Sequence, residues 1–183
     1  MKVCIFCGAN SSLDTEVERE IKVLMTHFAK NKVHLVYGGA GIGVMGSLAT
    51  ELLQQGGSVT GVIPRHLMRK EIAHDSLTQL HVVGDMHERK KMMYEISDAF
   101  LVLPGGMGTM DELFEILTWK QLGLHRKPIA IFNINGYYDH LINFINHAVD
   151  KGLIKLSDRS LLFDSDSWLE IWKYFNEDQS CSV

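Results

Sequence analysis

Hydrophobic positions along this chain follow two spacings in turn. Short, mostly apolar runs at residues 3–7, 33–37, 58–63, 80–83, 99–103 and 128–132 have the length of strands buried on both faces. A weaker run covers 160–163. Between the runs, apolar residues recur every three or four positions. Val17, Ile21, Leu24, Met25 and Phe28 do so in 16–30, and Met86, Met93 and Ile96 in 86–97. Leu141, Ile142, Ile145 and Val149 do so in 136–151, and Trp168, Ile171 and Trp172 in 167–175. That spacing predicts helices. Another helix follows the glycine loop at 38–46 and runs to residue 55, where Gly56 and Gly57 end it. Residues 65–76 show no period and read as a loop. Two-faced strands alternating with helices predict a Rossmann-like α/β fold: a doubly wound parallel sheet of about seven strands with helices on both faces. No linker or repeat interrupts it, so residues 1–183 read as a single domain with a polar tail from about 177.

Composition removes several function classes. Of 183 residues, 46% are hydrophobic and 22% charged, and the net charge is −4, with no basic excess to attract nucleic acid or an anionic membrane. No apolar run reaches membrane-spanning length. The first residues enter a strand directly, without a signal-peptide pattern, so a cytoplasmic location is expected. Cys4, Cys7 and Cys181 are too few for a disulfide framework. Cys4 and Cys7 form a CxxC pair, but on a strand positions i and i+3 face opposite ways, and ordinary buried cysteines are the better reading. The nine histidines show no paired-ligand spacing, so no metal is expected.

In a doubly wound sheet, ligands sit at the carboxyl ends of the strands. The loops at 8–12, 38–43, 64–74, 84–85 and 104–109 all fall on that edge. The stretch Leu101-Val-Leu-Pro-Gly-Gly-Met-Gly-Thr-Met-Asp-Glu112 is the most informative. Pro104 stops a strand, and Gly105, Gly106 and Gly108 allow close approach to a ligand. Thr109 stands where it can cap the next helix, with Glu112 three residues on at capping-box spacing and Met110, Leu113, Phe114 and Leu117 as the buried stripe. Backbone N–H groups at such a turn, with the positive end of a helix dipole, suit a phosphate. Gly41-Ile-Gly-Val-Met-Gly46 also fits G-x-G-x-x-G. The following strand ends Val62-Ile-Pro-Arg65 without the carboxylate that holds a dinucleotide's ribose, so no nicotinamide or flavin cofactor is expected.

Pro104-Gly-Gly-Met-Gly-Thr-Met-Asp-Glu112 matches P-G-G-x-G-T-x-x-E, and Met86-His-Glu-Arg-Lys90 lies upstream. Together they resemble the signature of the Lonely Guy (LOG) family, phosphoribohydrolases that release cytokinin bases from riboside 5′-monophosphates. Tyr37-Gly-Gly-Ala-Gly-Ile-Gly-Val-Met-Gly46, Cys4-Ile-Phe-Cys-Gly8, Arg69-Lys-Glu-Ile72, Thr118-Trp119 and Asn135-Gly-Tyr-Tyr138 add to the likeness, which spans residues 3 to about 154. Ala40 stands where relatives often have a third glycine, and Met107 where they often have tyrosine. The resemblance implies an N-glycosyl hydrolase acting on AMP or an N6-modified AMP, without a cofactor, in a homodimer. The alternative is a nucleotide or cofactor carrier with the same pocket and no turnover.

The resemblance also makes Arg89 and Glu112 the catalytic candidates. Breaking an N-glycosidic bond builds oxocarbenium character on the ribose, which a carboxylate stabilises while it orients or deprotonates a water. That role falls to Glu112. Arg89 grips phosphate or ribose oxygens, or steadies charge on the leaving side. Lys90 adds attraction for the 5′-phosphate, and Gly105, Gly106, Met107, Gly108 and Thr109 cradle it. Glu71, Met110, Asp111, Thr118, Gly38 and Gly39 complete the substrate-binding set. Asp111 and Glu115 read as helix surface rather than catalytic.

Overall fold

The computed structural model describes residues 1–8, 15–68 and 74–180. In chain order the elements are β1 (Lys2–Phe6), α1 (Thr15–Lys30), β2 (His34–Tyr37), α2 (Gly43–Gln54), β3 (Ser58–Pro64), β4 (Gln79–Val83), α3 (Met86–Ile96) and β5 (Ala99–Val102). Then follow α4 (Met107–Gln121), β6 (Ile129–Phe132), a 3-10 turn (Ile134–Gly136), α5 (Asp139–Asp150), α6 (Leu156–Arg159), β7 (Phe163–Ser165) and α7 (Trp168–Ser180). The seven strands make one all-parallel sheet in the order β4-β3-β2-β1-β5-β6-β7.

Alternation along each strand divides the core between two layers. Val3, Ile5, Cys7, Leu35, Leu101 and Phe132 pack under α1, α2 and α7. Cys4, Phe6, Val36, Phe100, Val102 and Ile131 pack under α3, α4 and α5. Cys4 and Cys7 therefore lie in different layers, as a strand's period of two requires. The chain first moves outward from β1 to β4, then returns to lay β5 against β1 on its other side. The order reverses between β1 and β5, which opens a crevice at their carboxyl ends. Gly8 follows β1 there, and Pro104 to Gly106 follow β5; the Gly8 N–H donates to the Pro104 carbonyl at 3.2 Å.

Three local expectations change. Helix α4 begins at Met107 with Gly106 as its N-cap and no side-chain cap, so Thr109 lies inside the first turn and does not cap it. Gly106 has an ordinary backbone (φ −99°) and enters the helix without a further loop. The buried stripe also differs from the expected one. Thr109, Glu112, Leu113 and Ile116 are buried, whereas Phe114 is exposed and Met110 and Leu117 are half-buried. The reciprocal cap occurs instead at α3: Asp85 accepts from the His87 and Glu88 N–H groups, and Glu88 accepts from Gly84 N–H at 2.7 Å.

The helix expected over 136–151 starts at Asp139, because Asn135 (φ 52°) breaks the path and Asn133 Oδ1 accepts the Tyr138 N–H. The last strand sits at Phe163–Ser165 rather than 160–163. The short helix α6, which carries no buried residue, precedes it and so left no apolar pattern to read.

Candidate active site

Arg89 and Glu112 meet although 23 positions separate them. Arg89 lies in the first turn of α3 and Glu112 in the second turn of α4, and both side chains turn inward near the β1–β5 crevice. Only 3% of Arg89 and 6% of Glu112 is exposed. Arg89 Nη2 stands 3.9 Å from Glu112 Oε1, and Nη1 lies 3.9 Å from Met86 Sδ. The charges also act on the strand below them. Burial pushes the Cys4 and Cys7 thiols up, the Glu112 charge adds to this, and Arg89 opposes it.

Gly38, at the end of β2, makes the pairing sterically feasible. A Cβ there would overlap Arg89 Nη2 and stand 3.0 Å from its Cζ and from Met45 Sδ. The guanidinium thus occupies the space that a side chain at position 38 would fill. Gly39 has φ +81°, a left-handed conformation suited to glycine.

The turn after β5 is built in a similar way. A Cβ on Gly105 would collide with Thr109 Oγ1 and come within 2.9 Å of Gly8 N. Gly106 and Gly108 differ. A Cβ on either would meet no atom of the described residues within 4 Å, and neither has positive φ. Among the described residues nothing packs where a side chain at these two positions would stand. Met107, 90% exposed, sits between them at the opening turn of α4.

Other sequence candidates have different surroundings. Lys90 Nζ contacts Asp111 Oδ2 at 3.1 Å and Glu115 Oε1 at 3.0 Å, tying α3 to α4. Burial pulls the Lys90 ammonium down, but these two carboxylates outweigh it and hold it above its ordinary range. Lys90 and Asp111 are thus each other's partners here. Thr118 donates to the Phe114 carbonyl at 2.7 Å. It lines a cleft of about 180 Å³ with Phe114, Leu117, Ile145 and Leu153, a cleft whose lining includes neither Arg89 nor Glu112. Met110 is half-buried on α4. Glu71 lies outside the described residues.

Two side chains at the crevice entered the sequence reading only through the Asn135-Gly-Tyr-Tyr138 likeness and were assigned no site role there. Tyr137 donates from its hydroxyl to the Gly105 carbonyl at 2.9 Å, and Tyr138 to the Leu103 carbonyl at 2.7 Å. They belong to the loop after β6, which ends on the same carboxyl edge as β5. That parallel placement was the available signal.

A family model described as "Possible lysine decarboxylase" matches residues 45–175. A Rhodococcoides fascians protein named cytokinin riboside 5′-monophosphate phosphoribohydrolase is 48% identical over 159 residues, covering 86% of this chain and 80% of its own length. An Arabidopsis thaliana protein of the same name is 42% identical over 170 residues, covering 93% and 75%. Among solved structures, the molybdenum cofactor carrier protein of Chlamydomonas reinhardtii superposes with a TM-score of 0.73 at 17% identity, over 98% of both chains. The molybdenum cofactor binding protein of Rippkaea orientalis gives 0.66 at 19%, over 94% and 95%. At these identities the two structures speak for the fold alone.

Proposed function

Since this chain belongs to the Lonely Guy (LOG) family of phosphoribohydrolases, we propose that it hydrolyses the N-glycosidic bond of AMP or an N6-substituted AMP. The products are the free base and ribose 5-phosphate. The observation that carries this reading is the buried Arg89–Glu112 pair beside the bare turn at Gly106 to Gly108.

The chemistry follows from what the bond needs. As the C1′–N9 bond lengthens, positive charge grows on C1′ and O4′ of the ribose and negative charge on the base. Glu112 opposes the first charge at close range in a dry site, where electrostatics are strong. Its carboxylate also orients the water whose oxygen bonds to C1′ and accepts the water's proton, while the C1′–N9 bonding pair leaves with the base, which is then protonated, and Glu112 returns its proton to solvent. Arg89, fixed over Gly38, supplies hydrogen-bond donors for ribose or phosphate oxygens and balances the buried carboxylate. The opening N–H groups of α4 lack intrahelical acceptors and meet the 5′-phosphate with the positive end of the helix dipole.

The reading includes a homodimer. Leu153 is 82% exposed and Phe114 and Phe144 are exposed as well, an apolar surface that a second copy would cover. It also includes one nucleotide-binding domain and a cytoplasmic location. No helix among the described residues is long and apolar enough to cross a membrane. A carrier without turnover is not favoured, because the relatives over 40% identical carry the hydrolase name.

The test is product analysis with AMP and isopentenyladenosine monophosphate, using Glu112→Gln as the comparison. The wild type should release base and ribose 5-phosphate, and the variant should be slower by at least about a hundredfold. Nucleotide binding without either product would overturn the hydrolase in favour of the carrier.

A further inference from the structure

Three successive carbonyls precede α4, and each is held from the protein side. Leu103 O accepts from the Tyr138 hydroxyl at 2.7 Å, Pro104 O from Gly8 N–H at 3.2 Å, and Gly105 O from the Tyr137 hydroxyl at 2.9 Å. Gly106 O then takes the Met110 N–H within the helix. In a trans peptide the N–H points opposite to the carbonyl. Holding Gly105 O toward Tyr137 therefore turns the Gly106 N–H the other way. It joins the N–H groups of Met107 and Gly108, which also lack intrahelical acceptors.

The Gly105–Gly106 peptide needs such a hold. With glycine on both sides it meets little steric resistance to rotation. A reversed peptide would present a carbonyl oxygen where the N–H now stands, placing a partial negative charge toward any bound anion. Tyr137 opposes that reversal directly. Tyr138 secures the strand end one peptide before Pro104.

The tyrosines are braced against each other and, through Tyr138, against Asn133. Their rings meet edge to face at 4.8 Å. Asn133 Oδ1 accepts the Tyr138 N–H and Asn133 Nδ2 donates to Asp139 Oδ1, each at 2.7 Å. Tyr138 is 3% exposed, and burial raises its phenol well above the ordinary range, which keeps the hydroxyl a donor. Tyr137 is 54% exposed. A hydroxyl so exposed can bond to water, and its bond to Gly105 matters mainly for where it holds that peptide.

We propose that Tyr137 and Tyr138 are positioning residues for the phosphate of the substrate, clamping the carbonyls on either side of Pro104 so that the N–H groups of Gly106 to Gly108 form a preset anion cradle. The identity of the ligand rests on the phosphoribohydrolase reading above; the cradle itself does not.

The experiment compares wild type with Tyr137→Phe, which loses the hydroxyl and keeps the ring. Calorimetry measures ribose 5-phosphate and adenosine binding, and steady-state kinetics with AMP gives KM and kcat. In Tyr137→Phe, ribose 5-phosphate should bind about three- to tenfold more weakly and adenosine as before. The loss with AMP should be carried by KM rather than kcat, since the phosphate is gripped equally in ground and transition states. Tyr138→Phe should shift ribose 5-phosphate binding in the same direction and also lower Tm, because its ring is buried. Unchanged ribose 5-phosphate affinity in Tyr137→Phe, equal weakening of adenosine, or a loss confined to kcat would each overturn the clamp. If the wild type binds ribose 5-phosphate yet releases no base from AMP, the hydrolase reading fails, while the binding ratio still decides the clamp. No ribose 5-phosphate binding by the wild type would overturn the cradle itself.

Discussion

Gly38→Ala places one methyl group beneath the Arg89 guanidinium. Gly38 does not have positive φ, so alanine is compatible with its backbone. The methyl would overlap Nη2 and stand 3.0 Å from Cζ, where ordinary contact begins near 3.4 Å. The guanidinium must therefore retreat by roughly 1 Å or more to recover normal packing. The retreat costs little stability, because the moving atoms are the end of a flexible side chain. Alanine also lowers the entropy of the unfolded chain, worth about 0.4–1 kcal/mol in the opposite direction. Tm should stay within a few degrees of wild type.

The chemistry is less tolerant. The pair now stands at 3.9 Å in a site almost closed to solvent. Displacing a reacting group by about 1 Å typically costs around a hundredfold in rate, near 2.7 kcal/mol of barrier. The assay is base release from AMP at saturating substrate, with Tm measured on the same preparations. A fall in kcat of about a hundredfold at nearly constant Tm is expected. Wild-type kcat in folded Gly38→Ala would refute the reasoning, because the position of Arg89 would then not enter the chemistry.

Gly106→Ala probes the other kind of glycine: among the described residues no atom lies near its absent Cβ, so Tm should hold, while a methyl in the proposed phosphate site should raise KM for AMP at least about tenfold. An unchanged KM would mean that the phosphate lies elsewhere. His125 supplies a pH prediction. Its Nδ1 accepts the Lys127 N–H at 3.1 Å and its Nε2 donates to the Ile116 carbonyl at 2.9 Å, so the folded protein holds the neutral ring. Burial chiefly lowers its pKa, against the Ile116 bond. The unfolded state takes up the proton first, so this stability is full above about pH 6.5 and lost as pH falls toward the folded value. Urea midpoints should drop between pH 7.5 and 5.5, and drop less in His125→Gln; equal slopes would exclude His125 as a contributor. Burial lowers His27 and His34 as well, and they add to the slope in the same direction.

Local sequence determined most of the elements and which loops lie at the carboxyl edge of the sheet. Apolar runs such as residues 99–103 can be satisfied only by burial on both faces, and a period of three to four residues commits α1 to one packed side. A glycine turn after a buried strand needs no distant information to read as an anion site. These properties are set by neighbouring residues and survive whatever else the chain does.

Only the tertiary structure decided what faces what. Strand order places β5 beside β1, which brings Gly8 onto the Pro104 carbonyl. The start of α4 depended on whether Gly106 turns or caps a helix, and it stands as the N-cap; packing against the sheet then buries the face that carries Glu112. Lys90 is occupied by carboxylates on the next helix, a pairing that its own helix does not foretell. Arg89 over Gly38 and Tyr137 on Gly105 join residues on separate elements, linked by packing rather than by sequence spacing. Such contacts follow from the sum of many nonlocal packing terms, each small, so no short stretch of sequence carries their signal.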